Sequence, residues 1–316
     1  MRTKLVKEML EGKVLALAKL ITMVEEDSAE APEIMKLIYS HLGKAYRAGL
    51  TGPPGSGKST LVDKLTAALR KESASVGLIC VDPTSPFTGG ALLGDRIRMQ
   101  QHYLDEGVFL RSMATRGSLG GLPETIGGVI KLLDAFGKDF ILVETVGVGQ
   151  CEVDVMESVD TVIVVLIPGS GDAIQAMKAG LMETADILVV NKCDYPEAQN
   201  MVSNLQGILH SRSGDGWQTP IVMTEAIHNK GIDELIQRIK EHRQFLEANG
   251  GLTQRRQQQR RAEFMDRLQF KAIEELKRAL KENDNLSSYL ERIDRGEIDP
   301  YSAADEVFKA KGSPAK

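Results

Sequence analysis

The stretch Gly52-Pro53-Pro54-Gly55-Ser56-Gly57-Lys58-Ser59, continued by Thr60, constrains this chain more than any other. It satisfies G-x-x-x-x-G-K-[ST] at every fixed position. A β-rich run, Tyr46–Thr51, leads into it, and the helical spacing of Leu61, Leu65 and Leu69 leads out. Glycines let backbone N–H groups turn inward on an anion with no Cβ in the way. The amino end of the following helix adds partial positive charge. Lys58 then reaches the outer phosphates of a nucleotide as a point charge, and Ser59 offers a hydroxyl to Mg²⁺.

The surrounding sequence supports a strand-loop-helix setting. Between about 46 and 245, short β-rich runs alternate with helical stretches: Val76–Asp82, Val108–Met113, Phe140–Glu144, Thr161–Ile167, Ile187–Asn191 and Ile221–Thr224. Several are almost wholly apolar, as strands buried on both faces of a mainly parallel sheet must be. The expected fold class is therefore α/β, a P-loop, doubly wound and mainly parallel sheet. Residues 1–45 read as an N-terminal helical extension. Met9, Leu10, Leu17, Leu20, Ile21 and Val24 recur at helical spacing, and Pro32 opens a second helix running to Leu42. The core of alternating strands and helices spans 46–246. Asn249-Gly250-Gly251 marks a helix stop and hinge, and 247–316 reads as a C-terminal helical arm. Its long helix starts near Leu252, with a stripe of Met265, Leu268, Ala272, Leu276 and Ala279. Two short helices follow, the last opening at Asp299-Pro300. The arm cannot bury that stripe alone, so it folds back on the core or packs on a second copy.

Composition narrows the partners. The 316 residues hold 39 Lys+Arg against 44 Asp+Glu, a net charge of -5. A protein built to coat nucleic acid needs a net basic face, so no nucleic-acid partner is expected. Cys80, Cys151 and Cys193 form no CxxC pair, which speaks against a disulfide scaffold or a zinc ribbon. Lys and Glu interrupt the first thirty residues, leaving no signal-peptide core. The longest apolar run, Val162 to Ile167, is too short to span a bilayer. A cytoplasmic protein without a membrane partner is the expectation.

Two further segments carry chemistry. Asn191-Lys192-Cys193-Asp194 closes an apolar run and resembles the N-K-x-D motif of GTP-binding proteins. A carboxylate at Asp194 accepts two hydrogen bonds from guanine, and adenine would leave it unpaired. Lys192 packs its stem over the base. Thr224-Glu225-Ala226, after the next run, loosely resembles the loop that supports the guanine. Cys193 in the free position would make nucleotide binding sensitive to oxidants. On the metal side, Glu144-Thr145-Val146-Gly147 looks like a Walker B and D-x-x-G segment with Glu replacing Asp. Gly147 would sense the γ-phosphate. Asp82 ends a strand and is either a Mg²⁺-side carboxylate or a cap before Pro83. Asp95, in a Gly/Thr-rich loop, is either a Mg²⁺-side group or a solvated acid.

Together these blocks resemble the methylmalonyl-CoA mutase-associated GTPases, the MeaB/ArgK family. The matching stretches are Gly52–Thr60, Val81–Pro86, Thr88–Arg96, Glu144–Gln150, Pro168–Gly180 and Asn191–Asp194. The resemblance covers nearly the whole chain. It implies a GTPase that hydrolyses GTP to GDP and acts as chaperone and gatekeeper of an adenosylcobalamin-dependent acyl-CoA mutase, with GTP/GDP as ligand. Mg²⁺ and switch residues carry over onto Ser59, Asp82, Asp95 and Glu144. An extra switch segment carries over onto Gly169–Gln175, and the arm onto a homodimer contact.

Two other functions compete. A metal-insertion GTPase would need a Cys/His site, and the five histidines are scattered. An ATPase or kinase of basic amino-acid transport conflicts with Asn191 and Asp194. No arginine finger can be assigned among Arg96, Arg98, Arg111 and Arg116, and Gln150 is equally a water-orienting group or a polar loop residue. Arg255, Arg256, Arg260 and Arg261 read as a solvated face or dimer contact, and Trp217 as part of a surface connection.

Overall fold

A computed structural model of the chain describes residues 2–26, 30–82, 99–114, 121–145, 156–169, 181–210, 216–282 and 285–312. Seven strands form within these residues: β1 (Tyr46–Thr51), β2 (Val76–Asp82), β3 (Val108–Ala114), β4 (Phe140–Glu144), β5 (Thr161–Leu166), β6 (Ile187–Asn191) and β7 (Ile221–Thr224). All pair in parallel, in the order β3-β2-β4-β1-β5-β6-β7. The runs are apolar on both sides because the period of two sends alternate residues into separate cores. Ile79, Val81, Val162, Val164 and Leu166 enter one. Leu78, Cys80, Ile163 and Val165 enter the other.

The first core is covered by α1 (Arg2–Leu10), α2 (Val14–Glu25), α3 (Ala31–Ile38), α5 (Gly121–Ala135) and α7 (Ala198–His210). Leu17, Leu20, Ile21, Ile34 and Ile38 are fully buried there, so the N-terminal helices complete one layer of the sheet's packing. Two details differ from the sequence reading. Gly12, at φ +88°, ends the first helical run, and the helix opened by Pro32 stops at Ile38, before the single 3₁₀ turn Tyr39–His41. The second core lies under α4 (Lys58–Lys71) and α8 (Ile232–Ala248), which contribute Leu61, Leu65, Leu69, Leu235 and Ile239. The short α6 (Leu181–Thr184) precedes β6.

Helix α9 (Gly251–Glu282) follows α8, then α10 (Asn285–Asp294) and α11 (Pro300–Gly312). The chain divides into two compact units, Met1–Arg256 and Gln257–Lys316. Within the second, α10 and α11 pack together, with Arg292 Nη1 3.2 Å from Glu306. Met265 and Leu268 are each 50% exposed. Among the described residues, no helix is long and apolar enough to cross a membrane.

The first two arginines of the basic cluster are engaged by acids of the same chain. Arg255 binds Asp186 through two nitrogens, at 2.8 and 2.9 Å. Arg256 binds Asp160 at 2.9 and 2.6 Å and also donates to Gly43 O and Ala45 O. The two acids sit at the entrances of β5 and β6. Asp160 accepts from Arg47 N and Asp186 from Val162 N, so each also ties down a strand start. Trp217 is likewise anchored rather than loose. Its Nε1 donates to Asp186 O at 2.8 Å, and its ring packs 4.8 Å from His242. Burial lowers the His242 imidazole, against the opposing pull of Asp186.

Candidate nucleotide site

β1 ends at Thr51 and α4 opens at Lys58, so residues 52–57 form a loop at the carboxyl edge of the sheet. From β1 the chain proceeds to β2 on one side, whereas β5 lies on the other, and this reversal of strand order opens a crevice in doubly wound sheets. Two glycines are sterically required in the loop. Gly52 has φ +143°, and a Cβ there would lie 2.1 Å from Val165 O. Gly57 has φ +91°, and its Cβ would lie 2.3 Å from Asn191 Nδ2. Close approach of Val165 and of Asn191 therefore dictates glycine at these two positions.

Pro53 is half-buried, and Pro54 and Gly55 are exposed at the lip of the loop. Ser56 is buried, and its hydroxyl has no hydrogen-bond partner among the described residues. Lys58 folds back under the loop, with Nζ donating to Gly52 O at 2.7 Å and Pro53 O at 3.0 Å. Leu61 N–H returns to Gly57 O at 2.9 Å, which places the amides of Lys58, Ser59 and Thr60 in the turn that helices leave without internal acceptors. Ser59 Oγ donates to Glu144 Oε1 at 2.5 Å. The register explains that meeting, since Leu50 pairs with Glu144 across β1 and β4.

The base motif is tied to the same loop. Asn191 is 3% exposed, and its Nδ2 donates to Ser56 O at 2.8 Å. Its Oδ1 accepts from Thr224 Oγ1 at 3.0 Å and from Ala226 N at 3.2 Å. One amide thus joins the loop after β1, the end of β6 and the loop after β7. Lys192 takes a left-handed φ of +57°, and Cys193 N donates to Thr224 O at 3.0 Å. Asp194 is exposed, and its carboxylate pairs with no group among the described residues. Glu225 exchanges backbone hydrogen bonds with Lys230 and contacts the His228 ring.

Asp95, Gly147, Gln150, Arg96, Arg98 and Arg116 lie outside the described residues, as do 170–175 of the expected extra switch. Asp82 closes β2 beside Ala114, and its side chain is outside the description too. Arg111 is engaged elsewhere: Nε donates to Glu25 Oε1 at 2.8 Å and Nη2 contacts Glu25 and Thr22, tying β3 to α2. The sequence reading missed Asp63, His102 and Gln101. Burial works to raise the Asp63 carboxyl, but hydrogen bonds from His102 and Gln101 outweigh it and hold it below the usual value.

The donor set suits a polyanion held with a hard cation. An orphaned buried hydroxyl on the loop and the paired oxygens of Ser59 and Glu144 are the observations that fit.

Comparison with known proteins turns this geometry into a family. Residues 17–283 match the family described as methylmalonyl Co-A mutase-associated GTPase MeaB. The chain belongs to this family. A Pyrococcus abyssi relative is 50% identical over 310 residues, 97% of this chain and 95% of the relative. The Escherichia coli GTPase ArgK is 38% identical over 264 residues, 80% of each chain. A crystal structure titled LAO/AO transport system kinase superposes with a TM-score of 0.71 at 28% identity, covering 99% of this chain and 98% of that one. This MeaB-family chain is a P-loop GTPase, built on the expected α/β parallel sheet.

Proposed function

We propose that this chain uses GTP hydrolysis to time its action as chaperone and gatekeeper of an adenosylcobalamin-dependent acyl-CoA mutase, methylmalonyl-CoA mutase first among the candidates. The mutase named in the family description supports that client. The observation that supports the site reading is the amide of Asn191, which joins the loop after β1 to the loop after β7.

In this reading Gly52–Thr60 surround the phosphates with backbone N–H groups and the amino end of α4. Lys58 exchanges its two carbonyl acceptors for phosphate oxygens and neutralises their charge. Ser59 and Glu144 hold Mg²⁺ together with Asp82 and Asp95. Bound Mg²⁺ neutralises charge developing on the phosphate oxygens. Asp194 accepts from the guanine edge, Lys192 covers the base plane, and Thr224, Glu225 and Ala226 support it. Gly147 senses the γ-phosphate. The arm, 247–316, forms a homodimer contact beside a GTPase core of 46–246. The protein works in the cytoplasm and engages neither nucleic acid nor membrane.

The test is co-purification with candidate mutases under GDP and under a non-hydrolysable GTP analogue. A tenfold difference in affinity, about 1.4 kcal/mol of coupling, is expected. Equal affinity in both states, or none, would overturn the reading. Transfer of labelled γ-phosphate to a protein rather than to water would favour a kinase instead.

A further inference from the structure

Asp63 stands four residues beyond Ser59 on α4, so the two share a helix face. Its carboxylate is buried and is met by two side chains from the 3₁₀ turn Gln100–His102. Gln101 Nε2 approaches Oδ1 at 2.5 Å and His102 Nε2 approaches it at 3.1 Å. The same ring nitrogen lies 3.2 Å from Asp63 O, so the imidazole grips both the side chain and the backbone of one helical residue. His102 is 6% exposed. Lys64 Nζ is 3.6 Å from the other carboxylate oxygen.

Holding this part of the chain does not require that grip. The residues after the turn are already fastened, because Arg70 binds Asp105 through two nitrogens at 2.9 Å each and Lys138 donates to Gly107 O. The additional contact lies one turn from Ser59 and adds a polar restraint on the rotation of α4, beyond the packing of Leu61, Leu65 and Leu69. That rotation sets where the Ser59 hydroxyl points, and Ser59 meets Glu144 at the short distance of 2.5 Å. Reactive constellations tolerate only about 10–20° of misorientation.

We propose that His102 is a positioning residue of the GTPase site, acting through Asp63 to aim the Ser59 hydroxyl toward the metal side. The inference rests on the reading of Ser59 and Glu144 as metal-side oxygens. Residues that orient ligating groups typically contribute 10–100-fold to metal affinity.

The test titrates Mg²⁺ into the full-length protein bound to a fluorescent GDP analogue and follows the metal-dependent slowing of nucleotide release. His102→Ala is expected to need about tenfold more Mg²⁺ for the half-maximal effect, with Mg²⁺-free GDP affinity unchanged within about twofold. His102→Gln, which keeps an N–H donor, is expected to recover most of the loss. An unchanged Mg²⁺ midpoint in His102→Ala, even with a lowered melting temperature, would overturn the inference. Should His102→Ala not fold, Asp63→Asn carries the same test, with the same raised midpoint expected and an unchanged one overturning the proposal. Ser59→Ala separates the two claims. If it leaves the Mg²⁺ response intact, the site reading itself fails. If it abolishes the response while the His102 and Asp63 variants stay normal, only the positioning role fails.

Discussion

Truncating Arg256 should cost this protein a large part of its stability, although the residue lies at the root of the arm. Asp160 is fully buried and Arg256 is 12% exposed on its side chain. The guanidinium makes two bonds to the carboxylate and two more to Gly43 O and Ala45 O. In Arg256→Ala the acid keeps Arg47 N at 3.0 Å, with Arg47 Nε at a longer 3.4 Å. Removing one partner of a buried pair typically costs 3–5 kcal/mol. Because Arg47 still compensates part of the charge, the lower end, about 3 kcal/mol, is expected. At about 2–4 °C per kcal/mol this lowers Tm by roughly 6–12 °C. Urea or thermal unfolding by circular dichroism measures it directly. Pairing the substitution with Asp160→Asn should give a coupling of about 1–3 kcal/mol, since the two residues share one network. A loss below about 1 kcal/mol would match an exposed ion pair and refute the argument.

Further outcomes follow from the same geometry. Lys58→Ala should abolish GTP hydrolysis, and unchanged turnover would contradict the role given to that lysine. Asp194→Asn should erode the preference for guanine, measured by competition between GDP and ADP. Gly52→Ala sets a methyl group against Val165 O and should unfold the loop or weaken nucleotide binding by more than tenfold, which calorimetry would show. His242 is held below its ordinary value of 6.5, so the unfolded chain binds the extra proton first. The stability it contributes is present above about pH 6.5 and declines as the pH falls below that. The emission of Trp217, packed at a tilt against the ring, should stay constant from pH 8 down to 6.5 and be quenched only at lower pH. A quenching midpoint at or above 6.5 would count against the lowered value.

The sheet was legible because its signal is local. All seven runs appear at the expected places, with ends within one residue; β4, β5 and β6 are buried along their whole length, and the edge strands β3 and β7 only in part. The phosphate loop was legible for a similar reason, as a short spacing with fixed residue types. What escaped was long-range pairing of polar groups. Arg255 and Arg256 look like a solvated basic run until they meet acids 69 and 96 residues away. Trp217 sits in a polar stretch, and no periodicity announces that it packs against His242. Asp63 and His102 are 39 positions apart and belong to no motif, so only the fold brings them together.

The amide of Asn191 also limits how nucleotide preference can change. It spends its donor on the phosphate loop and its acceptor on the loop after β7, leaving the exposed Asp194 as the neighbouring group that stands outside this joint. Under the proposed reading of the site, substitutions at Asp194 alter which base is read while leaving the loop of residues 52–57 in place. Substitutions at Asn191 disturb the loop after β1 and the loop after β7 together, so under the same reading their effects on base and phosphate recognition will not add. A lineage of such proteins drifting toward another purine would have to move around Asn191 rather than through it.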